Sequence, residues 1–275
     1  MPEGSETMLM ANYLNKEFKD KLCVNLLLCS KSKYFNKPLK GFTSEQWIPI
    51  NGVITIPVNM ICNCVESYGK KIGFFFDNHC FIFSLGLEGH FQLELGNNTG
   101  ICISFENKNI YYDDSRRFGN FYYIHRSELS TIMKNVGPDY LRGEVSLELF
   151  CSVIKNPKIS HHEIVWFLMN QKYFSGCGVY IKCDALYLAR ISPYRILSSL
   201  TDNDLSNLYH SIMRILTESF RANGKTIATY KNIDGTPGTF TNYCYGLKHD
   251  VNGFPIIRCT LSDKRTSHWC PSLQK

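Results

Sequence analysis

The first residues of the chain could perform covalent chemistry. The sequence begins Met1-Pro2-Glu3-Gly4, and a methionine that precedes a small residue such as proline is usually removed. Pro2 would then carry a free secondary amine, and α-amino groups have pKa values of about 7.7–8.0, so part of the population is neutral at physiological pH. An amine that attacks C1′ of a sugar gives an iminium intermediate. The adjacent Glu3 could protonate the ring oxygen as the sugar opens.

Taken alone, this pattern leaves a second interpretation open, because many proteins begin with these residues for no catalytic reason. The chain has 275 residues, enough for two domains of roughly 100–200 residues each. Its hydrophobic content of 44% is typical of globular proteins, and its net charge of +6 is too small to indicate a nucleic-acid partner by itself.

Cysteine content and the N-terminus bear on the compartment. There are 12 cysteines, no basic segment followed by an apolar leader, and no apolar run of about 18 residues. We therefore expect a soluble intracellular protein. Its thiols are expected to be reduced core residues or metal ligands rather than disulfides.

The elements that must position these residues fall into three regions. A helix is predicted at Glu6–Phe18, and apolar runs separated by Asn, Asp and Gly turns then predict strands up to about residue 123. A helical middle follows, in which Ser160 to Glu163 match a capping box. A loop is predicted at 223–239 and a β-hairpin module at 243–274. The predicted strands include 52–58, 72–76, 80–85 and 101–105, and the predicted helices are 146–154, 160–171, 179–189 and 201–222.

The segment Pro2-Glu3-Gly4-Ser5-Glu6 resembles the start of the formamidopyrimidine-DNA glycosylase / endonuclease VIII family, in particular its endonuclease VIII-like branch. The resemblance extends in order along nearly the whole chain. It implies an α+β fold with an N-terminal two-layered β-sandwich and flanking helix, a helix–two-turn–helix domain and a β-hairpin finger. We expect these parts at residues 1–125, 138–222 and 223–275, with a linker at 126–137.

In the N-terminal half, the resemblance implies three further sites. Lys70, directly after Gly69, is similar to the family's active-site lysine, with Lys71 as a competing assignment. Leu87 stands where the family usually has a methionine that fills the gap left by a flipped base. Asp114-Ser115-Arg116-Arg117-Phe118-Gly119 is similar to the loop that supplies the other two gap fillers, Arg116 and Phe118. Alternatively, this loop is a basic turn followed by a core phenylalanine.

In the C-terminal half, Gly178 resembles the turn that holds a phosphate at a helix N-terminus. Val179 departs from the asparagine that the family usually has, which leaves weaker phosphate binding and altered activity as possibilities. Asp184 replaces the usual glutamate and is expected, like Glu6, to have a structural role. Lys264 and Arg265 resemble the hairpin tip, whose arginine binds the phosphate beside the flipped nucleotide.

The tail resembles a Cys-His-Cys-Cys zinc finger with one ligand missing. Cys244, His249 and Cys270 are the candidate ligands, but Leu273 stands at the fourth position, and structural zinc needs four ligands. Cys259 could substitute, although its position is not that of the family. Two alternatives remain open: an unusually completed zinc site, or a zincless finger held by packing.

The resemblance implies a bifunctional DNA glycosylase and abasic-site lyase of base excision repair that acts through Pro2, Glu3, Lys70 and Arg265. It implies oxidised bases, in particular pyrimidines, as substrates, β- and δ-elimination as the nicking chemistry, and no cofactor for the bond chemistry. The expected partner is damaged DNA, in duplex, bubble or single-stranded form, and the expected compartment is the nucleus or another one that contains DNA. No membrane is expected as a partner, and the protein is expected to be a monomer. The alternative is a non-catalytic protein of the same fold that binds damage or abasic sites.

Overall fold

The computed structural model describes residues 2–42, 47–225 and 232–275. These residues form two compact units. The first contains Pro2, Glu6–Lys134 and the described part of Thr226–Gly238; the second contains Glu3–Ser5, Asn135–Lys225 and Thr239–Lys275. Met1 and part of the predicted 223–239 loop lie outside the described residues. The finer division into four parts stays a prediction.

The first unit is built on two antiparallel sheets. One has five strands, and the other has four. Helix α1 spans Gly4–Phe18, and a short helix, α2, spans Leu129–Met133. The strands are β1 Leu22–Cys29, β2 Val53–Ile61, β3 Cys64–Tyr68, β4 Lys71–Phe75, β5 His79–Ser84, β6 His90–Gln92, β7 Thr99–Phe105, β8 Asn109–Asp113 and β9 Asn120–His125. The strand order is β2-β1-β7-β8-β6 in the five-stranded sheet and β3-β4-β5-β9 in the four-stranded sheet.

Apolar side chains explain why these segments form a sandwich. Inner-face residues alternate with exposed ones along β2, as expected for a strand with one buried face. By contrast, β4 and β5 are almost continuously buried. Aromatic rings fill the core with edge-on contacts, for example Phe83 against Phe91 with ring centroids 4.9 Å apart. The core also takes up Met10, Leu14 and Phe18 from α1.

The second unit contains four helices and a hairpin. They are α3 Leu147–Ile154, α4 Ile164–Met169, α5 Val179–Leu188 and α6 Asp202–Arg221, with strands β10 Ile257–Thr260 and β11 Thr266–Trp269. A capping box starts α6: the Thr201 hydroxyl accepts the Asp204 N–H at 3.1 Å, and the Asp204 carboxylate accepts the Thr201 N–H at 2.9 Å. Every residue of α5 from Tyr180 to Tyr187 is buried.

The prediction of a capping box at the start of α4 is wrong. The helix begins at Ile164 and not at Ser160, and its N-cap is Glu163 in an extended conformation. Ser160 instead donates to the carbonyl oxygen of Pro157 at 3.0 Å. The Glu163 carboxylate accepts the N–H of Ser262, a residue 99 positions away, so a tertiary contact replaces the local one.

The described residues confirm the expected α+β class, with a β-sandwich followed by helices and a β-hairpin. None of the helices in this part of the chain combines the length and the apolar character needed to cross a bilayer.

Candidate functional site

The first unit contains Pro2 and the two candidate lysines. Pro2 is buried. Gly69, with φ +58°, turns the chain between β3 and β4 and places Lys70 in the turn. The neighbouring Lys71 lies in β4, where its ammonium donates to the Ser84 hydroxyl, and burial lowers the pKa of this lysine. The Lys71 side chain is therefore held by a hydrogen bond to the adjacent strand, which favours Lys70 as the lysine that contacts a ligand.

The loop that carries Leu87 packs directly against the loop that carries Arg116 and Phe118. Gly86, with φ +66°, is the contact point: a Cβ added to it would lie 2.6 Å from the Gly119 nitrogen and 2.7 Å from the Phe118 carbonyl carbon. Any side chain would collide with backbone there. The structure thus brings together the three residues that were predicted to fill a gap in DNA.

Asp114 shapes the second of these loops. Its carboxylate accepts the Gly119 N–H at 2.7 Å, and its carbonyl oxygen accepts the Arg117 N–H at 3.1 Å. A Cβ on Gly119 would lie 2.0 Å from the Tyr112 hydroxyl, so this position also requires glycine. Phe118 is 56% exposed, in contrast to the alternative in which it belongs to the core.

Charge and ring contacts organise the exposed end of this loop. The Arg116 guanidinium lies 5.2 Å from the Phe118 ring centroid and 3.9 Å from the Glu88 carboxylate, which also accepts the Ser115 hydroxyl. Exposed ion pairs of this kind add little stability. An exposed ring is, however, able to insert into an unstacked base step, and a cation beside it is able to hydrogen-bond to the unpaired base. Glu88 was not predicted as a site residue, because nothing in the sequence distinguishes a glutamate in a glycine-rich loop from an ordinary surface charge.

In the second unit, Glu3 binds the N-terminus of α5. Its carboxylate oxygens accept the N–H groups of Tyr180 at 3.1 Å and Ile181 at 3.3 Å. A Cβ on Gly178 would lie 2.1–2.4 Å from that carboxylate, so only glycine admits the glutamate. A negative charge at this end of a helix is favourable because the unpaired amides point toward it. Glu3 is therefore fixed in position and 3% exposed.

The turn before α5 is braced by Gln171. Its side-chain amide donates to the Cys177 carbonyl oxygen at 2.8 Å and its side-chain oxygen accepts the Gly176 N–H at 3.0 Å. Because Glu3 takes the amides of Tyr180 and Ile181, a phosphate at this turn would depend on groups that precede them. Val179, the first residue of the helix, is half-buried.

Asp184 joins α5 to the segment that leads into the hairpin. Its carboxylate accepts three consecutive N–H groups, those of Tyr243, Cys244 and Tyr245, at 2.8–3.2 Å. Burial raises the pKa of Asp184 to about 6, although these three hydrogen bonds act in the opposite direction. This arrangement fits the structural role expected for Asp184. Glu6, in the first unit, is fully buried in α1.

The three predicted zinc ligands do not all come together. Among the described residues, no group of three or more His, Cys, Asp or Glu side chains could hold a metal ion. Cys244 and Cys270 are fully buried in an apolar cluster with Tyr187 and Ile256, whereas His249 is exposed. Burial raises the pKa of the Cys244 thiol.

Hydrogen bonds and apolar contacts hold the finger together. The Asp250 carboxylate accepts the Tyr187 hydroxyl at 2.9 Å and the N–H of Phe254 at 2.8 Å. Gln274 binds the Cys270 N–H at 2.7 Å and the Ile191 carbonyl oxygen at 2.8 Å. Leu273, at the missing ligand position, packs on the apolar cluster, and Cys259 lies elsewhere, on β10.

The hairpin tip between β10 and β11 carries Lys264 and Arg265, both exposed. Lys264 has a left-handed backbone, with φ +55°. The preceding Asp263 accepts the Arg265 N–H at 3.1 Å. The tip therefore presents two cations to solvent on a defined turn, as a phosphate-binding loop requires.

Comparisons with known proteins identify relatives of this chain. The family model of the formamidopyrimidine-DNA glycosylase H2TH domain matches residues 136–231. A formamidopyrimidine-DNA glycosylase of Thermus thermophilus is 30% identical over 199 residues, which cover 69% of this chain and 73% of the relative. That of Solibacter usitatus is 30% identical over 224 residues, covering 77% and 80%.

Solved structures share the fold. The crystal structure of the MutM (Fpg) protein from Thermus thermophilus matches with a TM-score of 0.84 at 23% identity, over 99% of this chain and 98% of that one. The complex of Lactococcus lactis Fpg with DNA that contains an abasic site matches with a TM-score of 0.83 at 21% identity, over 99% of both chains.

Proposed function

Because this chain belongs to the formamidopyrimidine-DNA glycosylase family and is a DNA glycosylase with abasic-site lyase activity, we propose that it excises oxidised bases through a Schiff base on Pro2. The observation that carries the proposal is the placement of Glu3. Its carboxylate is fixed by two amides of α5 and by the space that Gly178 leaves, and Pro2 directly precedes Glu3 in the chain.

The covalent steps follow from the amine. The Pro2 nitrogen attacks C1′ as the bond from C1′ to the base breaks, and the base leaves with the electron pair and takes up a proton. The resulting iminium makes the C2′ proton acidic, so its removal expels the 3′ phosphate by β-elimination, and a second elimination expels the 5′ phosphate. The Glu3 carboxylate takes up the proton that the Pro2 nitrogen loses as the iminium forms and transfers it to the sugar ring oxygen as the ring opens. Lys70 contacts the phosphate beside the lesion.

Base extrusion is assigned to the paired loops of the first unit. Flipping a nucleotide costs a few kcal/mol in lost stacking and pairing. Leu87 and the exposed Phe118 offset that cost as apolar wedges, and Arg116 bonds the abandoned base. The backbone contact at Gly86 supports this assignment because it holds both loops in one arrangement.

Phosphate binding is assigned to the second unit. Arg265, with Lys264 beside it, binds the phosphate next to the flipped nucleotide, and the turn at Gly178 contacts the same strand. We propose oxidised pyrimidines as the preferred lesions, because the N-terminal segment resembles the endonuclease VIII-like branch. The relatives are named for formamidopyrimidine, and one solved Lactococcus lactis complex contains Fapy-dG DNA, so oxidised purines are the competing substrate class.

The test is borohydride trapping on oligonucleotides that carry one thymine glycol, one 8-oxoguanine or one abasic site. The matched control is the same chain with Met1 retained, because a peptide bond to Met1 turns the Pro2 nitrogen into an unreactive amide. We expect a covalent complex only with the processed chain, with faster trapping on thymine glycol than on 8-oxoguanine.

Other outcomes have distinct meanings. Equal trapping with Met1 retained would reject Pro2 as the nucleophile. Faster trapping on 8-oxoguanine would reject only the pyrimidine preference. Specific binding to abasic DNA without trapping would favour the non-catalytic damage-binding protein, a function that Val179 in place of the family's asparagine also supports.

A further inference from the structure

A buried ion pair connects α5 to the tip of the β10–β11 hairpin. The Lys182 ammonium donates to the Asp263 carboxylate, and the two side chains are 0% and 1% exposed. Because α5 is buried on all sides around Lys182, the ammonium does not reach water. The attraction within such a pair is largely offset by desolvation, so stability alone is a weak reason for its presence.

The same carboxylate reaches the backbone of Arg265. One oxygen of Asp263 binds Lys182, and the other accepts the Arg265 N–H at 3.1 Å. Within this turn, the Lys264 N–H also donates to the Leu261 carbonyl oxygen at 2.9 Å. Asp263 thus links a cation on a rigid helix to the backbone that carries the exposed arginine.

Two other contacts fix the hairpin to the helices. The Glu163 carboxylate accepts the Ser262 N–H at 3.0 Å, and the Cys183 sulfur accepts the His268 N–H at 3.3 Å. The loop from 261 to 265 is therefore held on the sides of both α4 and α5. The backbone of the tip is fixed, and the Arg265 side chain is exposed.

Charge gives Lys182 a second effect on the tip. Asp263 lies two residues before Arg265, where an uncompensated carboxylate would repel a DNA phosphate. Lys182 neutralises that carboxylate inside the protein, because the two charges are in direct contact. The positive charge offered to solvent is then that of Lys264 and Arg265.

We propose that Lys182 and Asp263 are positioning residues that hold Arg265 in the geometry for binding the phosphate beside the lesion. This inference rests on the phosphate-binding role proposed above for Arg265. Because both side chains are buried, a substitution of either residue should change DNA binding only through its effect on Arg265.

The experiment measures the affinity for duplex DNA with a stable abasic-site analogue, at several salt concentrations, together with the thermal unfolding midpoint. The variants are Lys182→Met and Asp263→Asn, which remove one charge each with little change in shape. Lys155→Met is the matched control, because Lys155 forms an exposed ion pair with Asp202 in the same unit. We expect about a tenfold loss of affinity for each test variant and less than about a twofold loss for the control.

The two single variants separate positioning from simple electrostatics. If only net charge near the phosphate mattered, Lys182→Met would weaken DNA binding and Asp263→Asn would strengthen it. Positioning predicts that both weaken binding, because each breaks the chain of contacts that ends at the Arg265 N–H. Stronger binding by Asp263→Asn would overturn the proposal.

A double variant separates positioning from stability. Lys182→Met with Asp263→Leu removes both buried charges and leaves none unpaired, so it recovers much of the unfolding midpoint that the single variants lose. Its DNA affinity stays about tenfold low because Arg265 has lost its backbone partner. Recovery of DNA affinity together with the midpoint would show a purely structural role and overturn the proposal.

Coupling to Arg265→Ala completes the test. We expect Arg265→Ala to weaken binding and to lower the salt dependence by about one ion, with no additional loss when Lys182→Met is combined with it. Fully additive losses would overturn the proposal. An unchanged affinity in Arg265→Ala would remove both the phosphate role and this inference, whereas failure of borohydride trapping affects only Pro2, because the analogue measures binding without chemistry.

Discussion

In the first unit, the loops that carry Leu87, Arg116 and Phe118 are shaped by glycines at positions where a side chain would collide with its surroundings. In the second unit, the segments around the candidate site are held by buried carboxylates that accept backbone N–H groups. Glu3 binds the start of α5, and Asp184 binds the segment before the hairpin.

The two kinds of organisation respond differently to change. A steric contact between backbones does not depend on pH or salt, but it tolerates no added atom. A carboxylate bound to amides tolerates changes of size nearby better, but its strength depends on its charge. The first unit should therefore be sensitive to small substitutions, and the second to protonation and to loss of charge.

The largest effect is expected from Glu3→Gln. The amide keeps the shape but loses the charge, and its NH₂ group faces the N–H groups of α5. We expect the excision rate under single-turnover conditions to fall by about 10²- to 10⁴-fold, because the variant loses a positioned acid. Affinity for an abasic-site analogue should change far less. A variant with nearly normal excision would show that the carboxylate only caps the helix.

Gly86→Ala tests the steric contact in the first unit. The added Cβ would lie 2.6 Å from backbone, and the positive φ adds strain, so the free energy of unfolding should fall by about 2–4 kcal/mol. Gly52→Ala is the matched control, because Gly52 has φ +74° and no atom within 4 Å of an added Cβ.

The control should lose about 1–2 kcal/mol, from backbone strain alone. Excision should also fall more on duplex than on single-stranded DNA in Gly86→Ala, because wedges matter only where a partner base is abandoned. Equal losses of stability in Gly86→Ala and Gly52→Ala would show that the contact between the two loops is not tight.

Asp184 tests the sensitivity of the second unit to protonation. Its folded-state pKa of about 6 lies above the ordinary value of about 3.9 for aspartate, so the folded form keeps a proton that the unfolded chain has lost between these pH values. The free energy of unfolding should therefore decrease as pH rises from about 4 to 6, by about 3 kcal/mol from this group.

The comparison with Asp184→Asn isolates this contribution, because other groups titrate in both proteins. The free energy of unfolding should be measured for both proteins with denaturant at pH 4.5, 5.5 and 6.5. The value for the wild-type protein minus that for Asp184→Asn should decrease as pH rises. The opposite trend would mean that the three N–H hydrogen bonds outweigh burial and keep the carboxylate charged.

The smallest effect is expected from a chelator. Cys244, His249 and Cys270 do not converge, and hydrogen bonds of Asp250 and Gln274 hold the finger. The unfolding midpoint and the DNA affinity should therefore be unchanged by a zinc chelator. A lower midpoint that added zinc restores would show that the finger does depend on a metal.

Local patterns predicted most of the elements, and the order of motifs predicted the family. The apolar runs that contain Phe74 and Phe81 predicted buried strands because continuously apolar segments are typical of strands with both faces buried. Resemblance predicted the residues of the paired loops and of the hairpin tip. The way in which these segments are held was less accessible, because Gly86 requires glycine only through its contact with Phe118 and Gly119.

Contacts between distant residues explain what was missed. Lys182 lies among apolar residues in α5, which could have indicated a buried lysine, but its partner is 81 positions away. The capping box at Ser160 was wrong because Glu163 binds Ser262 instead. The sequence left the zinc site open because residue types and spacing do not place Cys244 and His249, whose positions depend on how the hairpin folds back on α5.

The hydrogen bonds of Glu3 also set an order of events during synthesis. The partners of its carboxylate are the amides of Tyr180 and Ile181, 177 and 178 positions later in the chain. During synthesis, the N-terminal segment therefore cannot form these hydrogen bonds until Tyr180 and Ile181 have emerged from the ribosome. The proposed mechanism requires removal of Met1, and during this interval the segment is accessible to an aminopeptidase, before Pro2 becomes buried in the folded protein.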